Sequence, residues 1–173
     1  LPVAREIHSA VADEAEANLP VTTVAEEILL RGARDGTAHL VEADAALLPG
    51  MRPAYREWDF GLVPGDPPEE FEGFALTGRV DRIDVDDTRL VVTDYKSTTV
   101  ASSHARAAFE REGRIQLPLY AAVASRRLRR EIAGGFYRST CGGSPRGFVR
   151  NDISGDQFVR TDRADQGEID SLV

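Results

Sequence analysis

The sequence predicts an α/β (α+β) fold, because helical and strand patterns occupy separate stretches of the chain. The first fifty residues are rich in strong helix formers, whereas residues 74–95 are rich in β-branched apolar residues, partly in alternation. Hydrophobic residues make up 42% and charged residues 29% of the 173, as in an ordinary globular protein. We therefore expect a single domain over residues 1–173, with a helical segment at 1–50 and a core at 51–160.

Three helices are predicted in the helical segment. The first covers residues 3–17. A capping box formed by Thr23 and Glu26 starts the second helix, which Asp35-Gly36 would end. A third helix is predicted over residues 38–48.

The predicted strands begin with residues 52–63. A loop rich in Pro, Gly and acidic residues follows at 64–72 and is expected to be a flexible tip. Residues 74–85 and 89–95 form two further strands, and the Asp-Asp-Thr turn between them favours an antiparallel hairpin. Glu57 on the first strand could add an acidic group to a site, although an ordinary surface carboxylate is the favoured interpretation.

Two aspartates are predicted to oppose each other across this hairpin. If the turn is centred between Asp87 and Thr88, Asp81 lies directly across from Asp94. Directly opposed side chains have Cβ atoms about 4.5–5.5 Å apart, and two like charges at that distance repel. A divalent cation between the carboxylates is the usual compensation. Lys96 projects from the same face as Asp94, because side chains alternate along a strand.

Lys96 is the only lysine in the chain, and the other twenty strong cations are arginines. Lysine offers a compact charge with a tunable pKa, whereas arginine is a wide planar fork that stays protonated. That property suits a residue beside a scissile phosphate and an attacking water. A surface lysine that happens to be unique is the alternative, and the position two residues after Asp94 favours the functional interpretation.

A helix is predicted over residues 114–131. Gln116 and Tyr120 are four residues apart and so share one face of it. A Gln and a Tyr projecting together near Lys96 could position a phosphate or orient the lysine. The alternative for Tyr120 is a buried ring with a satisfied hydroxyl group.

The remaining chain is predicted to complete the sheet. A strand is expected at residues 133–139, and shorter edge strands at 147–149 and 157–160. Residues 161–173 carry little apolar content, so we expect a truncated helix or a frayed tail there.

Three motifs, taken in order, resemble one known family. Asp81, the run Asp94-Tyr95-Lys96 and the run Gln116-Leu-Pro-Leu-Tyr120 resemble the PD-(D/E)XK nuclease superfamily, and more narrowly its RecB- and AddB-like nuclease domains. Those domains carry Gly-x-x-Asp-Arg-x-Asp, then Asp-Tyr-Lys, then Gln-x-x-x-Tyr opening a helix, and three such motifs in order are specific. The resemblance is good over residues 57–139 and loose over the first fifty. It implies a restriction-endonuclease-like core, in which helices flank a central mixed β-sheet.

The resemblance also implies an activity. It predicts a metal-dependent DNA nuclease, similar to RecB-family exonucleases, that acts in DNA recombination or repair. Asp81 and Asp94, with the backbone carbonyl of Tyr95, would hold one or two Mg²⁺ or Mn²⁺ ions. Lys96 would orient or activate the attacking water and stabilise the transition state.

By the same resemblance, Gln116 and Tyr120 would hold the substrate strand, making both part of the catalytic site together with Asp81, Asp94 and Lys96. The expected partners are DNA and a helicase subunit or domain. A catalytically inactive DNA-binding or scaffolding domain of the same fold is the alternative, and the intact motif residues argue against it.

Histidine ligands are a further expectation from the resemblance. RecB-like domains carry a helix with Gly-x-x-x-His-x-x-Leu, whose histidine is a metal ligand, and His8 occupies that position here. Ala4 and Val11 replace the Gly and the Leu, so the match is partial. His39 is a rival ligand, and a partly exposed helical histidine is the alternative for His8. His104 lies in a polar loop, where we expect no special role.

Composition sets several limits on function. Some relatives hold an iron–sulfur cluster with four cysteines, and a chain with the single cysteine Cys141 predicts the branch without that cluster. One cysteine also fits a reducing cytoplasm. No apolar run of membrane-spanning length is present, so no membrane partner is expected. The chain begins with Leu1, which suggests a domain excised from a larger protein.

The net charge of −8 opposes tight binding of nucleic acid by this chain alone. The charge is uneven, because acidic residues crowd residues 13–87 while arginines cluster at 106–150. A bound cation would also reverse the local field at the two aspartates. A helicase partner or another domain could therefore supply much of the affinity for DNA.

Overall fold

The computed structural model describes residues 2–19, 21–71 and 73–173. Its strands are β1 Arg52–Phe60, β2 Glu69–Phe71, β3 Phe74–Leu76, β4 Gly78–Val85, β5 Arg89–Lys96, β6 Glu131–Ser139, β7 Arg146–Arg150 and β8 Arg163–Ala164. Its α-helices are α1 Pro2–Asn18, α2 Val24–Ala45, α3 Ala108–Glu112, α4 Gln116–Leu128 and α5 Gln166–Asp170. Within the described ranges, none of the helices is long and apolar enough to cross a membrane.

A six-stranded mixed sheet organises the fold, with the strand order β1-β4-β5-β6-β7-β8. Strands β1, β4 and β5 are antiparallel neighbours, whereas β5 and β6 run parallel. A parallel pair needs a crossover connection, and α4 lies on the chain that crosses from β5 to β6. The prediction of a mixed sheet flanked by helices is therefore confirmed.

Two apolar clusters cover the sheet, because successive residues of a strand point to opposite faces. The larger cluster joins strand residues such as Ile83, Leu90 and Val92 to Leu117 and Ala121 of α4. The smaller cluster contains buried residues of β5, β6 and β7 together with the chain around Leu47, namely Leu47, Leu48, Val91, Ala133, Phe136, Val149, Ile153 and Phe158. Both faces of the central strands are thus buried, which holds β5 firmly in place.

Helix α2 begins at the predicted capping box and then continues where we expected it to end. Thr23 Oγ1 accepts the N–H of Glu26 at 3.2 Å, and Glu26 Oε2 accepts the N–H of Thr23 at 2.8 Å. The predicted break at Asp35-Gly36 is wrong, because one helix runs through it to Ala45. A helical glycine costs only about 1 kcal/mol. Helix α2 also contacts α1, for example through an ion pair of 2.7 Å between Arg34 and Asp13.

The acidic loop after β1 contains a strand that we did not predict, and the predicted strand at 74–85 is divided into β3 and β4. Strand β2 pairs with β3 as a small separate hairpin. Two arginines of α4 hold it: Arg127 lies 2.7 Å from Asp66 and 3.1 Å from Glu69, and Arg126 lies over the ring of Phe71 at 4.7 Å. These arginines therefore tie a neighbouring loop to the helix.

The C-terminal residues also differ from the prediction. No strand forms at residues 157–160, and the edge strand is β8 instead. Ile169 of α5 is fully buried in the larger apolar cluster. The described part of the tail is therefore packed against the sheet, because its few apolar residues are placed to reach the core.

Candidate active site

The predicted register of the β4–β5 hairpin is confirmed. Arg82 pairs with Thr93 in an antiparallel ladder, and the same register places Asp81 opposite Asp94 one step further on. Beyond Arg82 and Thr93, a hydrogen bond from the backbone to a side chain takes the place of the backbone pairing of the two strands. The backbone N–H of Tyr95 donates to Asp81 Oδ2 at 2.7 Å. The two aspartates are thus held together at the end of the hairpin.

Asp94 is the most deeply buried member of the site, with 6% of its surface exposed. Lys96 Nζ lies 2.6 Å from its Oδ2, and Gln116 Nε2 donates to its Oδ1 at 3.0 Å. Burial raises the pKa of Asp94, Lys96 and Gln116 oppose that rise, and the negative charge of Asp81 adds to it. The groups around Asp94 therefore compensate the charge of its carboxylate only in part.

The oxygens of this site fit a hard divalent cation. Asp94 Oδ2 is buried and has a charge partner in Lys96, but it receives no well-aligned hydrogen bond. With Asp81 and the carbonyl group of Tyr95 it offers the oxygen ligands that Mg²⁺ prefers, and Mg²⁺ is commonly held by one or two carboxylates plus substrate phosphates. Among the described residues, no three His, Cys, Asp or Glu side chains are grouped to hold a metal. The donor set therefore suits Mg²⁺ or Mn²⁺ shared with a substrate.

His8 lies near this site without joining it. A cavity of about 720 Å³ is lined by His8, Asp81 and Tyr95. The His8 Nε2 atom, however, is 2.7 Å from Thr37 Oγ1. The rival His39 is exposed and lines a different, smaller cavity. A ligand role for His8 stays a prediction.

Glu57 of β1 lies in line with Asp81 of β4 and Asp94 of β5, so carboxylates stand side by side on three neighbouring strands. The register of β1 and β4 on either side of Glu57 places it opposite Asp81, which itself opposes Asp94. Its φ of +46° is uncommon for a residue other than glycine. Its side chain is 66% exposed and lies 3.6 Å from Arg79, which leaves it able to turn toward the same cavity.

A buried polar network lies behind the site and fixes Tyr95. The Tyr95 hydroxyl donates to Asp44 Oδ2 at 2.8 Å and accepts from Arg82 at 3.1 Å. Arg138 donates to the other oxygen of Asp44 at 3.0 Å. Burial raises the pKa of Tyr95 to about 12, so the hydroxyl stays protonated. This network joins α2, β4, β5 and β6 at the residue between Asp94 and Lys96.

Sequence reasoning did not find all of these residues. Asp44 and Arg138 carry no motif of their own, and Arg82 stood only as a member of the Asp-Arg-x-Asp pattern, with no role assigned to it. The structure brings Asp81, Asp94, Lys96 and Gln116 together as predicted.

Tyr120, by contrast, packs edge-on against the ring of Phe60, with the centroids 5.8 Å apart. Its role in holding a substrate strand stays a prediction. His104, to which the sequence assigned no role, packs edge-on against Tyr137 of β6, with the centroids 5.0 Å apart.

Comparison with known proteins agrees with this geometry. A search of curated proteins finds no match to the chain. The family model of the PD-(D/E)XK nuclease superfamily matches residues 2–162, a range that contains every residue of the site described above. The chain therefore belongs to the PD-(D/E)XK nuclease superfamily.

Proposed function

We propose that this protein is a metal-dependent DNA nuclease, similar to RecB-family exonucleases, that hydrolyses phosphodiester bonds in DNA recombination or repair. The observation that supports the proposal most is the contact of Lys96 and Gln116 with the two oxygens of Asp94, directly across the hairpin from Asp81. A site that had lost its activity would lose these residues first.

Each residue of the site has a defined part in the proposed reaction. Asp81, Asp94 and the carbonyl group of Tyr95 would hold the divalent cation, which when bound neutralises charge on the phosphate and lowers the pKa of water. Lys96 places a positive charge beside Asp94, where it orients the attacking water and stabilises charge that develops on the phosphate. Gln116 fixes the orientation of the Asp94 carboxylate through its 3.0 Å hydrogen bond.

The proposed setting includes a partner. The net charge of −8 favours a helicase subunit or domain that brings the DNA strand to the site. A cytoplasmic setting belongs to the same proposal, and the single free cysteine, the exposed Cys141, supports it.

The test is cleavage of linear single- and double-stranded DNA in Mg²⁺ or Mn²⁺, compared with EDTA. Asp94→Asn keeps the shape of the side chain and removes its charge. We expect it to lower the cleavage rate by about 10²-fold or more. Asp87→Asn, in the exposed turn of the same hairpin, is the matched control and should cleave like the wild type.

The outcomes separate the two candidate functions. Cleavage that requires both metal and Asp94 supports the nuclease. DNA binding without cleavage under any metal condition would instead favour the inactive scaffolding domain. Cleavage by Asp94→Asn at the wild-type rate would refute the assignment of the active site to Asp94 and its neighbours.

A further inference from the structure

We propose that His104 and Arg114, beside Lys96, form a second phosphate-binding position that holds the phosphodiester next to the one that is cleaved. This inference rests on the proposed nuclease function and adds a subsite to it. Neither His104 nor Arg114 belongs to the motifs that identify the family, and the sequence assigned no role to either.

The ring of Tyr137 in β6 is the point at which Lys96 and His104 meet. The parallel register of β5 and β6 places Tyr137 beside Asp94. Lys96 Nζ lies 5.1 Å from the centroid of the Tyr137 ring, and the His104 ring lies edge-on at 5.0 Å from the same centroid. The imidazole of His104 is therefore next to the catalytic lysine, on a ring that is itself 3% exposed.

Arg114 lies near the same place, in the short connection between α3 and α4. It lies two residues before Gln116, whose amide group contacts Asp94 at 3.0 Å. Burial lowers the pKa of His104, and the positive charges of Arg114 and Lys96 lower it further. Arg114 also opposes the burial that raises the pKa of Tyr137 to about 12. Lys96 and the neutral imidazole of His104 thus meet at one ring, and Arg114 comes from a third segment, beside Gln116.

The segments that carry these cations are held by specific contacts. The 3₁₀ turn Ser102–His104 lets His104 Nδ1 accept the N–H of Ala101 at 3.3 Å, which leaves the hydrogen of a neutral ring on Nε2. Two residues on, Arg106 anchors the loop through its N–H to the fully buried Asp162. The loop between β5 and α3 is therefore a fixed support for a donor.

Arg114 is fixed in a similar way. Gly113 takes the left-handed conformation with φ of +63°, which ends α3 and turns the chain toward α4. The N–H of Arg114 then donates to the carbonyl of Phe109 at 3.1 Å. A preorganised cation loses little freedom when it binds an anion.

The charge of this patch is not fully neutralised by the protein. Arg114 and Arg111 share one carboxylate, Glu112, at 3.3 Å and 3.0 Å. Lys96 lies 2.6 Å from Asp94, so we assign its charge to the phosphodiester that is cleaved and not to the neighbouring one. In the described part of the chain His104 and Arg114 form no contact with Asp81 or Asp94, so the guanidinium of Arg114 and the Nε2–H of the neutral His104 ring are available to the neighbouring phosphodiester of the strand.

The test measures binding without cleavage. A short fluorescein-labelled oligothymidylate is titrated with protein in EDTA by fluorescence anisotropy, over a range of salt concentrations. Arg114→Ala should weaken binding several-fold and reduce the slope of log K against log salt by roughly 0.7, the value for one phosphate contact on a single strand. His104→Gln should also weaken binding. Arg111→Ala is the matched control, because it also pairs with Glu112, and it should bind like the wild type.

A second measurement separates binding from chemistry and from folding. In Mg²⁺, Arg114→Ala and His104→Gln should raise KM for the oligonucleotide while kcat is largely kept, and Lys96→Ala should lower kcat. Thermal melting of each variant establishes that it is folded, and Arg114→Gln replaces the alanine variant if that one is not.

Failure of the subsite and failure of the nuclease are distinguishable. If the wild type cleaves but both subsite variants bind with the affinity and salt slope of Arg111→Ala, the subsite is refuted and the nuclease stands. If the wild type binds without cleaving and the variants lose affinity as expected, the nuclease fails and the phosphate position stands. A wild type that does not bind the oligonucleotide at all would overturn the subsite.

Discussion

Asp94 carries a charge that the fold alone disfavours. Burial raises its pKa above the ordinary carboxylic value, even with Lys96 beside it. The folded state therefore binds this proton more tightly than the unfolded state does. Its stabilising contribution is full below the ordinary pKa and is lost as the pH rises through the raised pKa. At neutral pH without metal, the ionised group thus lowers the stability of the fold.

This imbalance predicts that Asp94→Asn is more stable than the wild type at neutral pH in EDTA, while being inactive. The difference should shrink as the solution is made acidic, because the wild-type carboxyl group then becomes neutral as well. Urea denaturation at several pH values measures both trends. A variant that is less stable than the wild type at neutral pH would contradict this account of Asp94.

Tyr95→Phe removes one hydroxyl group from the buried network and keeps the ring. We expect the free energy of unfolding to fall by about 1–3 kcal/mol, because Asp44 and Arg82 each lose a buried hydrogen-bond partner. We also expect kcat to fall while KM changes little, since Tyr95 sits between two residues of the site. Tyr55→Phe, on a half-exposed ring of β1, is the control and should change neither quantity.

The residues that the sequence could predict are those linked by local geometry. Asp81 and Asp94 sit on consecutive strands joined by a short turn, so their register follows from the turn alone. The contacts of Asp44 with Arg82 and Arg138 span 38 and 94 residues of sequence. No periodicity or spacing connects residues so far apart, and only the packing of α2 against the sheet brings them together.

At the scale of elements, helix α4 ends at a residue that is poorly suited to its conformation. Arg129 takes the left-handed conformation, with φ of +54°, and its N–H donates to the carbonyl of Ser125. Glycine is preferred at this position of a helix end because it has no Cβ atom. Arg129→Gly should therefore raise the free energy of unfolding by about 0.5–1 kcal/mol.

Urea denaturation of Arg129→Gly provides the measurement. Arg126→Gly, one turn earlier on the same helix, is the comparison and should be destabilising by about 1 kcal/mol or more, since glycine there interrupts regular helix and also removes the contact of Arg126 with Phe71. Equal effects of the two substitutions would argue against the proposed strain at Arg129.

Element boundaries were predicted well where a local signal dominates and poorly where distant contacts decide. The capping box of α2 is a local signal, and the structure contains it. Where α2 continues past Gly36, Arg34 contacts Asp13 of α1, and Arg127 of α4 contacts Glu69 of the β2–β3 hairpin. Neither contact is visible in the sequence of the element that it stabilises.

For the molecule as a whole, the C-terminal residues are part of the core. Ile169 is fully buried against the larger apolar cluster. Ile169→Ala should lower the free energy of unfolding by about 2–5 kcal/mol, through lost burial and the cavity that remains. The half-exposed Val63 offers a control, and Val63→Ala should have a small effect. A frayed tail would instead give a negligible effect for both substitutions in chemical denaturation.

The buried network around the Tyr95 hydroxyl limits which segments can be exchanged between related proteins. Its partner Asp44 belongs to the helical segment, whereas Arg82 and Arg138 belong to the sheet. A chimaera that takes its first fifty residues from another protein would leave the buried Arg138 without the counter-charge of Asp44, and Arg82 with Asp84 alone, unless the donor supplies a carboxylate at this position. The helical segment and the strands of the candidate site should therefore be transferred together, and a graft that ignores Asp44 should misfold at the site before it misfolds elsewhere.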